Sequence, residues 1–118
     1  MTDTAETKPP LLARICPECG VAFELKRPTS PQLFCTPAHK VRFYNLQIKR
    51  GLQLTPLMQT WRTAQPRYKS GASRELAAHA YGEACRLLDQ YGKDDRAAGR
   101  DPSLVIAEKH LQGWRAGD

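Results

Sequence analysis

Residues 16–20 of this chain are CPECG and residues 34–39 are FCTPAH, and these two stretches decide the fold that the sequence predicts. A C-x2-C pair lets two thiolates point into one small volume, and a glycine directly after it permits the tight backbone of a zinc knuckle. The second stretch adds a cysteine and a histidine at C-x3-H spacing. The predicted ligands of one structural Zn²⁺ per chain are Cys16, Cys19, Cys35 and His39.

The second ligand pair lies at a predicted helix start. Thr36 suits the N-cap position and Pro37 suits the first turn of a helix. Cys35 would then precede the helix and His39 would lie in its opening turn, so both side chains can face the knuckle. Because three thiolates and one imidazole fill all four positions of tetrahedral zinc, we expect an ion that builds the fold and does no chemistry.

Four cysteines in 118 residues also permit other chemistry. Two pairs can form a disulfide framework, and an isolated C-x2-C pair can do redox work. The first ten residues are polar and give no export signal, so we expect a cytoplasmic protein, whose reducing surroundings favour metal binding over disulfides. Zinc is the favoured interpretation on this ground.

Two residues have competing interpretations. His39 can be a ligand or an exposed histidine in the first helical turn, and the three cysteines favour the ligand because they leave one coordination position to fill. Cys85 can be a ligand or a small apolar residue of a helix, and its apolar neighbours favour the second role. The predicted site therefore includes His39 and omits Cys85.

The charges are distributed unevenly along the chain. Its 18 Lys and Arg residues exceed its 12 Asp and Glu residues, which gives a formal net charge of +6. No acidic residue lies between Glu24 and Glu75, a stretch that carries ten positive charges. We expect a polyanion to bind there, although a solvated basic face without a partner would have the same composition.

The predicted nucleic-acid contacts lie between the two predicted ligand pairs and just after the second pair. Lysine and arginine contact phosphates, and an asparagine can read a base edge through a bidentate amide contact. Asn45 is the candidate for such a base contact. The full predicted set is Lys26, Arg27, Lys40, Arg42, Asn45, Lys49 and Arg50.

The pattern along the chain predicts a small α+β protein that is mostly helical. Residues 1–12 are predicted as a flexible leader, residues 13–51 as a zinc module and residues 52–118 as a helical extension. In the module, alternation over residues 21–25 predicts a strand, which would pair with residues 32–34 in a short hairpin between the ligand pairs. Metal binding would supply the stability that the few apolar residues of this segment cannot.

The first predicted helix follows the second ligand pair. It covers residues 37–50, packs through Val41, Tyr44 and Ile48, and ends at Gly51.

Three more helices are predicted beyond Gly51. Thr55-Pro56 predicts the start of a short helix over residues 57–64. Residues 72–91, with Gly92 as the stop, and residues 101–111, which begin with Asp-Pro, predict the last two. The short link between these two favours an antiparallel helical hairpin.

The segment 14–51 carries motifs known from a class of zinc fingers. They are CPECGVAF at residues 16–23, a basic loop, and FCTPAHKVRFYN at residues 34–45 before a Lys-Arg-Gly sequence. The segment resembles the short bacterial treble-clef zinc fingers of the FCS and MYM class, which have CP-x-CG-x-x-F followed by FCSPACR and a basic helix. The resemblance implies a treble clef of knuckle, hairpin and helix around one zinc, often with a role in binding nucleic acid or protein. His39 stands where the class usually has cysteine, an exchange that keeps a good zinc ligand.

Together these features predict a zinc-dependent protein that binds nucleic acid, DNA or RNA, as a transcriptional or phage-type regulator. The alternative is a zinc-stabilised adaptor whose C-terminal helices bind a protein or a second copy through Tyr81, Leu88 or Trp114. We expect no enzyme, because hydrolytic catalysis of the HNH type needs an open metal position and a histidine outside the structural set. We also expect no small-molecule substrate and no membrane span, since no run approaches about 18 apolar residues.

Overall fold

The structure is a computed structural model, and it describes residues 13–27, 29–64 and 73–113. These residues form two short strands and three helices, so this part of the chain is mostly helical with one small antiparallel sheet, as the sequence predicts. The elements are β1 (Ala13–Ile15), β2 (Ala22–Glu24), α1 (Pro37–Thr63), α2 (Arg74–Ala98) and α3 (Ser103–Leu111). The predicted leader, residues 1–12, lies outside the described residues.

The described residues divide into two compact units. The first unit contains the chain up to Phe43 and again from Ala98 onward, and the second unit is Tyr44–Ala97. The first unit therefore holds the sheet, the start of α1 and the whole of α3. The second holds the rest of α1 and nearly all of α2.

β1 and β2 pair as an antiparallel hairpin around the C-x2-C turn. Ala13 lies opposite Glu24, and Ile15 lies opposite Ala22. The sequence predicted a strand at β2 but paired it with residues 32–34, and this pairing was wrong because those residues form no strand. Pairing with β1 places both cysteines of the C-x2-C pair in the turn over residues 16–21.

Side chains bond three of the backbone polar groups of residues 32–34. The Gln32 carbonyl accepts a hydrogen bond from the Arg14 guanidinium at 2.7 Å, and the Gln32 N–H donates to Ser30 Oγ at 3.3 Å. Gln32 Nε2 donates to the Phe34 carbonyl at 2.7 Å. The segment thus remains an ordered loop that delivers Phe34 to the core.

The core of the first unit combines apolar side chains from separate parts of the chain. Phe34 and Phe43 are buried, and their ring centroids lie 5.2 Å apart with an interplanar angle of 55°. Tilted ring pairs at this separation are favourable. Leu25 after β2 and Val105 in α3 are buried in the same unit. The late helix α3 therefore completes a core that begins near the N-terminus.

Two glycines that were predicted to end helices lie inside them. α1 continues through Gly51 to Thr63, and α2 continues through Gly92 to Ala98. A glycine stops a helix when it adopts a positive φ. The glycines with positive φ in the described residues are Gly20, Gly99 and Gly113. Gly99, directly after Ala98, is therefore the residue that ends α2.

The predicted helix start at Thr55-Pro56 was also wrong, because Pro56 lies inside α1. Proline removes the backbone donor that would bond the carbonyl four residues earlier. That carbonyl belongs to Leu52, which is 74% exposed, so water can take the place of the missing donor. The sequence alone does not reveal this exposure.

The buried face of α1 differs from the predicted one. Val41 and Ile48, expected to pack, are 58% and 62% exposed, whereas Phe43 and Arg50 are buried. The prediction followed the most regular apolar spacing. It missed the true face because that face contains an arginine, and a charge on a buried face requires a partner that the local sequence does not show.

Antiparallel contacts between α1 and α2 build the second unit. Arg50 forms a buried ion pair with Asp95 at 2.8 Å, and its guanidinium lies 4.6 Å from the centre of the Tyr91 ring. Further along, the rings of Trp61 and Tyr81 lie 5.1 Å apart. Ala77, Ala80 and Ala84 are the buried alanines of α2. The antiparallel helix pair that the structure shows is made by α1 and α2, whereas the sequence analysis placed it between the last two helices.

The start of α3 agrees with the sequence. Asp101 Oδ1 accepts hydrogen bonds from the Ser103 N–H at 3.0 Å and from Ser103 Oγ at 2.6 Å. Pro102 directly precedes the first helical residue, where its fixed φ suits a helix start. α3 then ends at Leu111, as predicted.

Hydropathy of the described helices gives no candidate for a membrane-spanning segment. The longest of them, α1, has 27 residues, but cationic and other polar side chains interrupt its apolar positions.

The buried ion pair of the second unit gives a prediction about stability. Asp95→Ala should lower the free energy of unfolding by about 3–5 kcal/mol, because it leaves the Arg50 guanidinium buried without its carboxylate. The double variant Arg50→Met/Asp95→Leu should recover most of this loss. Urea denaturation followed by far-UV circular dichroism measures both changes.

The matched control is Glu83→Ala, which breaks the exposed pair between Glu83 and Arg86 in α2. It should leave the free energy of unfolding nearly unchanged. If Glu83→Ala lowered the free energy of unfolding as much as Asp95→Ala, burial would not determine the cost of breaking an ion pair.

Candidate metal centre

The first two candidate ligands lie on the turn between β1 and β2. The Cys16 N–H donates to the Val21 carbonyl at 3.0 Å, and the Gly20 N–H donates to the Cys16 carbonyl at 2.9 Å. Gly20 has a φ of +76°, a left-handed conformation that side chains disfavour. These bonds fold the turn back on itself and place the Cys16 and Cys19 thiols on one side.

The second two candidate ligands lie at the start of α1. Thr36 Oγ1 accepts a hydrogen bond from the His39 N–H at 3.2 Å, so Thr36 caps the helix. Pro37 is the first helical residue. Both features confirm the predicted helix start. The cap fixes the first turn of α1. Cys35, directly before Thr36, and His39, within that turn, therefore have defined positions.

All four predicted ligands come together. Their Sγ and Nδ1 atoms lie within 4.8 Å of one another. Cys35 Sγ is 3.1 Å from His39 Nδ1, Cys19 Sγ is 3.7 Å from Cys35 Sγ, and Cys16 Sγ is 3.9 Å from His39 Nδ1. Metal–ligand bonds of about 2.0–2.3 Å give a tetrahedron with edges of roughly 3.5–3.8 Å. The three distances scatter around these edges, and the donor set can hold a tetrahedral metal ion.

The surroundings of Cys16 and Cys35 move the pKa values of these two thiols in opposite directions. Burial raises the pKa of Cys16, but hydrogen bonds to the backbone of Cys35, Cys19 and Glu18 and to the His39 ring outweigh it and lower the pKa to about 6. Burial raises the pKa of Cys35 to about 11, together with the neighbouring thiols of Cys19 and Cys16. The Cys16 thiol therefore loses its proton more readily than the Cys35 thiol. A bound metal would displace the remaining thiol protons.

The disulfide interpretation does not match the geometry. Cys16, Cys19, Cys35 and Cys85 are all free thiols. The 3.7 Å between the Cys19 and Cys35 sulfurs is far longer than a disulfide bond of about 2.05 Å. Cys85 lies on α2 in the second unit and is not a member of the cluster.

The loop between α2 and α3 contacts the C-x2-C turn, and the sequence did not predict this contact. Arg100 contacts Glu18, with Nε 2.9 Å from Oε1 and Nη2 3.2 Å from Oε2. The Asp101 N–H donates to the Pro17 carbonyl at 2.8 Å. From the sequence, residues 93–100 are predicted only as a link between two helices. Glu18, a charged residue between two candidate ligands, is the sequence signal that points to a distant cationic partner.

The predicted nucleic-acid residues divide into exposed and buried ones. Lys26 and Arg27 are exposed in the loop after β2. The exposed residues of α1 in the predicted set are Lys40, Arg42, Asn45 and Lys49. Arg50 differs, because it is 8% exposed and paired with Asp95. Its role in the structure is to link two helices, and it is not presented to a phosphate.

Comparisons of the chain with family models, with curated proteins and with solved structures found no match. The fold and the site define a broad class: the described residues form a small, mostly helical protein with a Cys3His cluster that can hold a metal ion.

The cluster gives a prediction about metal content. The full-length protein should bind one equivalent of Zn²⁺, and Cys35→Ser should weaken this binding strongly because it replaces a soft thiolate by a hydroxyl. Cys85→Ser is the matched control and should bind the metal as the wild type does. Elemental analysis and titration with Co²⁺, whose visible absorption reports four-coordinate geometry, measure these outcomes.

Retention of full metal affinity in Cys35→Ser, or equal losses in Cys35→Ser and Cys85→Ser, would contradict the assignment of the ligands.

The backbone of the knuckle gives a second prediction. A Cβ at Gly20 would lie 2.5 Å from the Gly99 carbonyl oxygen, and the residue has a positive φ. Gly20→Ala should therefore lower the free energy of unfolding by at least about 1–2 kcal/mol. Gly82→Ala, on a helical position with open space around it, should instead raise it by about 0.5–1 kcal/mol. Thermal and urea unfolding of the two variants should shift in opposite directions.

Proposed function

We propose that Cys16, Cys19, Cys35 and His39 hold one Zn²⁺ ion as a structural metal. Three thiolates and one imidazole are a donor set of structural zinc, and four ligands at tetrahedral spacing leave no open position for a substrate. When bound, the ion supplies four bonds that join the β1–β2 turn to the start of α1. The proposal therefore assigns the metal to folding, and it does not assign an enzymatic activity to the chain.

We further propose that this metal-stabilised unit is a treble-clef zinc finger of the FCS and MYM class. The support is the order of its parts: a knuckle turn inside a hairpin, a loop, and a helix whose start carries the second ligand pair. The motifs at residues 16–23 and 34–45 support it independently.

The proposed function is binding of nucleic acid, as a transcriptional or phage-type regulator. The observation that carries it is the acid-free helix α1. Lys40, Arg42 and Lys49 are exposed on this helix, and it contains no acidic residue over its 27 positions. Within the described part of the chain, no carboxylate lies in salt-bridge distance of these three cations. Phosphates are the polyanion that such a helix would contact.

A bound metal would fix the orientation of the start of α1 relative to the knuckle. His39 lies in the first turn of α1, so the four ligands fix the helix at the end that carries Lys40 and Arg42. Asn45 is exposed one turn further along and can offer its amide to a base edge. Arg50 is excluded from the proposed contacts because its guanidinium is bound to Asp95.

A second function, binding of a protein partner, is favoured by one observation. Val41, Ile48 and Leu52 are 58%, 62% and 74% exposed and lie along one side of α1. Exposed aliphatic residues at this spacing suit an adaptor that docks a partner helix. On α2, Tyr81 and Leu88 are also exposed, as the adaptor hypothesis needs, whereas Trp114 lies outside the described residues.

The test of nucleic-acid binding is fluorescence anisotropy with labelled duplex DNA and with single-stranded RNA, each over a series of salt concentrations. Affinity should fall steeply as salt rises, since every phosphate contact on duplex DNA contributes a slope of about −0.9 in log K against log salt. Arg42→Gln/Lys49→Gln should reduce the size of that slope by about 2 on duplex DNA. Arg86→Gln on α2, an arginine paired with Glu83, is the control and should leave the slope unchanged.

The two candidate functions respond to different substitutions. Ile48→Gln/Leu52→Gln should leave the salt-dependent binding of nucleic acid intact, because it removes no cation. In the adaptor function the same double variant would abolish capture of a protein partner, while Arg42→Gln/Lys49→Gln would not. Absence of any nucleic-acid binding at low salt would remove the first function.

A further inference from the structure

We propose that Glu18 and Arg100 form a latch that positions the knuckle for metal binding, so that Arg100 sets the affinity of the site. The latch consists of this ion pair and of the backbone contacts of Gly99 and Asp101 with residues 17–20. The inference rests on the proposed metal site and adds to it a positioning residue that contacts no metal.

The ion pair lies next to the ligands and is largely buried. Glu18 stands between Cys16 and Cys19, and its side chain is 3% exposed. Arg100 is 12% exposed and binds both oxygens of the Glu18 carboxylate, at 2.9 and 3.2 Å. A buried carboxylate without a cationic partner is strongly unfavourable. Three thiolates around a divalent ion add a further net negative charge beside Glu18, which makes the positive charge of Arg100 more necessary.

The backbone contacts extend the latch over the whole turn. The Pro17 carbonyl accepts the Asp101 N–H at 2.8 Å. A Cβ at Gly20 would lie 2.5 Å from the Gly99 oxygen, and a Cβ at Gly99 would lie 2.8 Å from the Cys19 oxygen. The two backbones are therefore in direct contact, and both glycines have a φ of +76°. The loop after α2 thus constrains every residue from Pro17 to Gly20, which includes the second ligand.

Contacts between the latch and the turn couple closure of the latch to metal binding. If the latch holds the turn in the geometry that the ligands need, closing the latch raises metal affinity. By thermodynamic linkage, metal binding must then stabilise the closed latch by the same factor. A contact that served only to hold α3 in place would not respond to the metal.

The first experiment measures Zn²⁺ affinity of full-length variants by competition with a chromophoric chelator. Arg100→Met should weaken binding by about 10–100-fold, the usual effect of removing a group that orients a metal ligand. Arg100→Lys should weaken it less, because the positive charge remains. Glu18→Gln/Arg100→Met should recover most of the loss, since no uncompensated carboxylate is left buried. Arg86→Met, in an exposed pair on α2, is the matched control and should bind as the wild type does.

The second experiment uses the wild-type protein and remains decisive if Arg100→Met does not fold. Hydrogen exchange of the Asp101 N–H should slow by at least about tenfold when Zn²⁺ is added, because its acceptor lies in the metal-binding turn. The Ala84 amide, in the buried face of α2, is the internal reference and should change much less.

The outcomes separate the latch from the metal site. If the wild type binds Zn²⁺ and Arg100→Met binds it equally well, the latch is wrong and the metal site stands. If exchange at Asp101 does not respond to the metal, the latch is wrong as well. If the wild type binds no metal, the proposed structural zinc fails, and the latch fails with it.

Discussion

The first unit of this protein depends on the convergence of three thiols and one imidazole on a single small volume. Its buried apolar side chains are few, and they come from a loop, a helix start and a distant helix that have little else in common. In the proposed zinc site, four donor atoms within 4.8 Å of one another would join the β1–β2 turn to the start of α1. Two of them come from a turn and two from a capped helix start, so one bound ion would fix the angle between the short sheet and the start of α1.

Charge has different uses in different parts of the molecule. Along α1 the exposed cations stand without acidic residues on the same helix, and they are what suggests a polyanionic partner. Arg50 and Arg100 instead bind buried carboxylates, Asp95 in one unit and Glu18 in the other. These two pairs are neutral and leave the net charge of +6 unchanged, but they remove two arginines from the surface that a partner can contact. The distribution of these charges matters more for function than their sum.

Local patterns predicted those parts of the structure that local chemistry controls. Thr36 and Pro37 identified a helix start, and cysteine spacing identified the ligand cluster, because a cap and a C-x2-C turn act over a few residues. The sequence could not show that Gly51 stays helical while Gly99 does not, since both conformations are open to glycine. It also could not show the pairing of Arg50 with Asp95 or of Glu18 with Arg100, as each joins residues far apart in the chain. These pairs decide which face of α1 is buried and what supports the knuckle.

The position of Arg100 late in the chain has a consequence for biosynthesis. A ribosome adds about 5–20 residues per second, so several seconds separate the addition of His39 from that of Arg100. During this interval the nascent chain already contains all four donor atoms but lacks Arg100, whose guanidinium neutralises Glu18. With the proposed latch, a metal captured at this stage would exchange readily, and it would be held firmly only after the loop beyond Ala98 had left the exit tunnel. Firm binding of the metal would in this way follow the emergence of Arg100 from the ribosome.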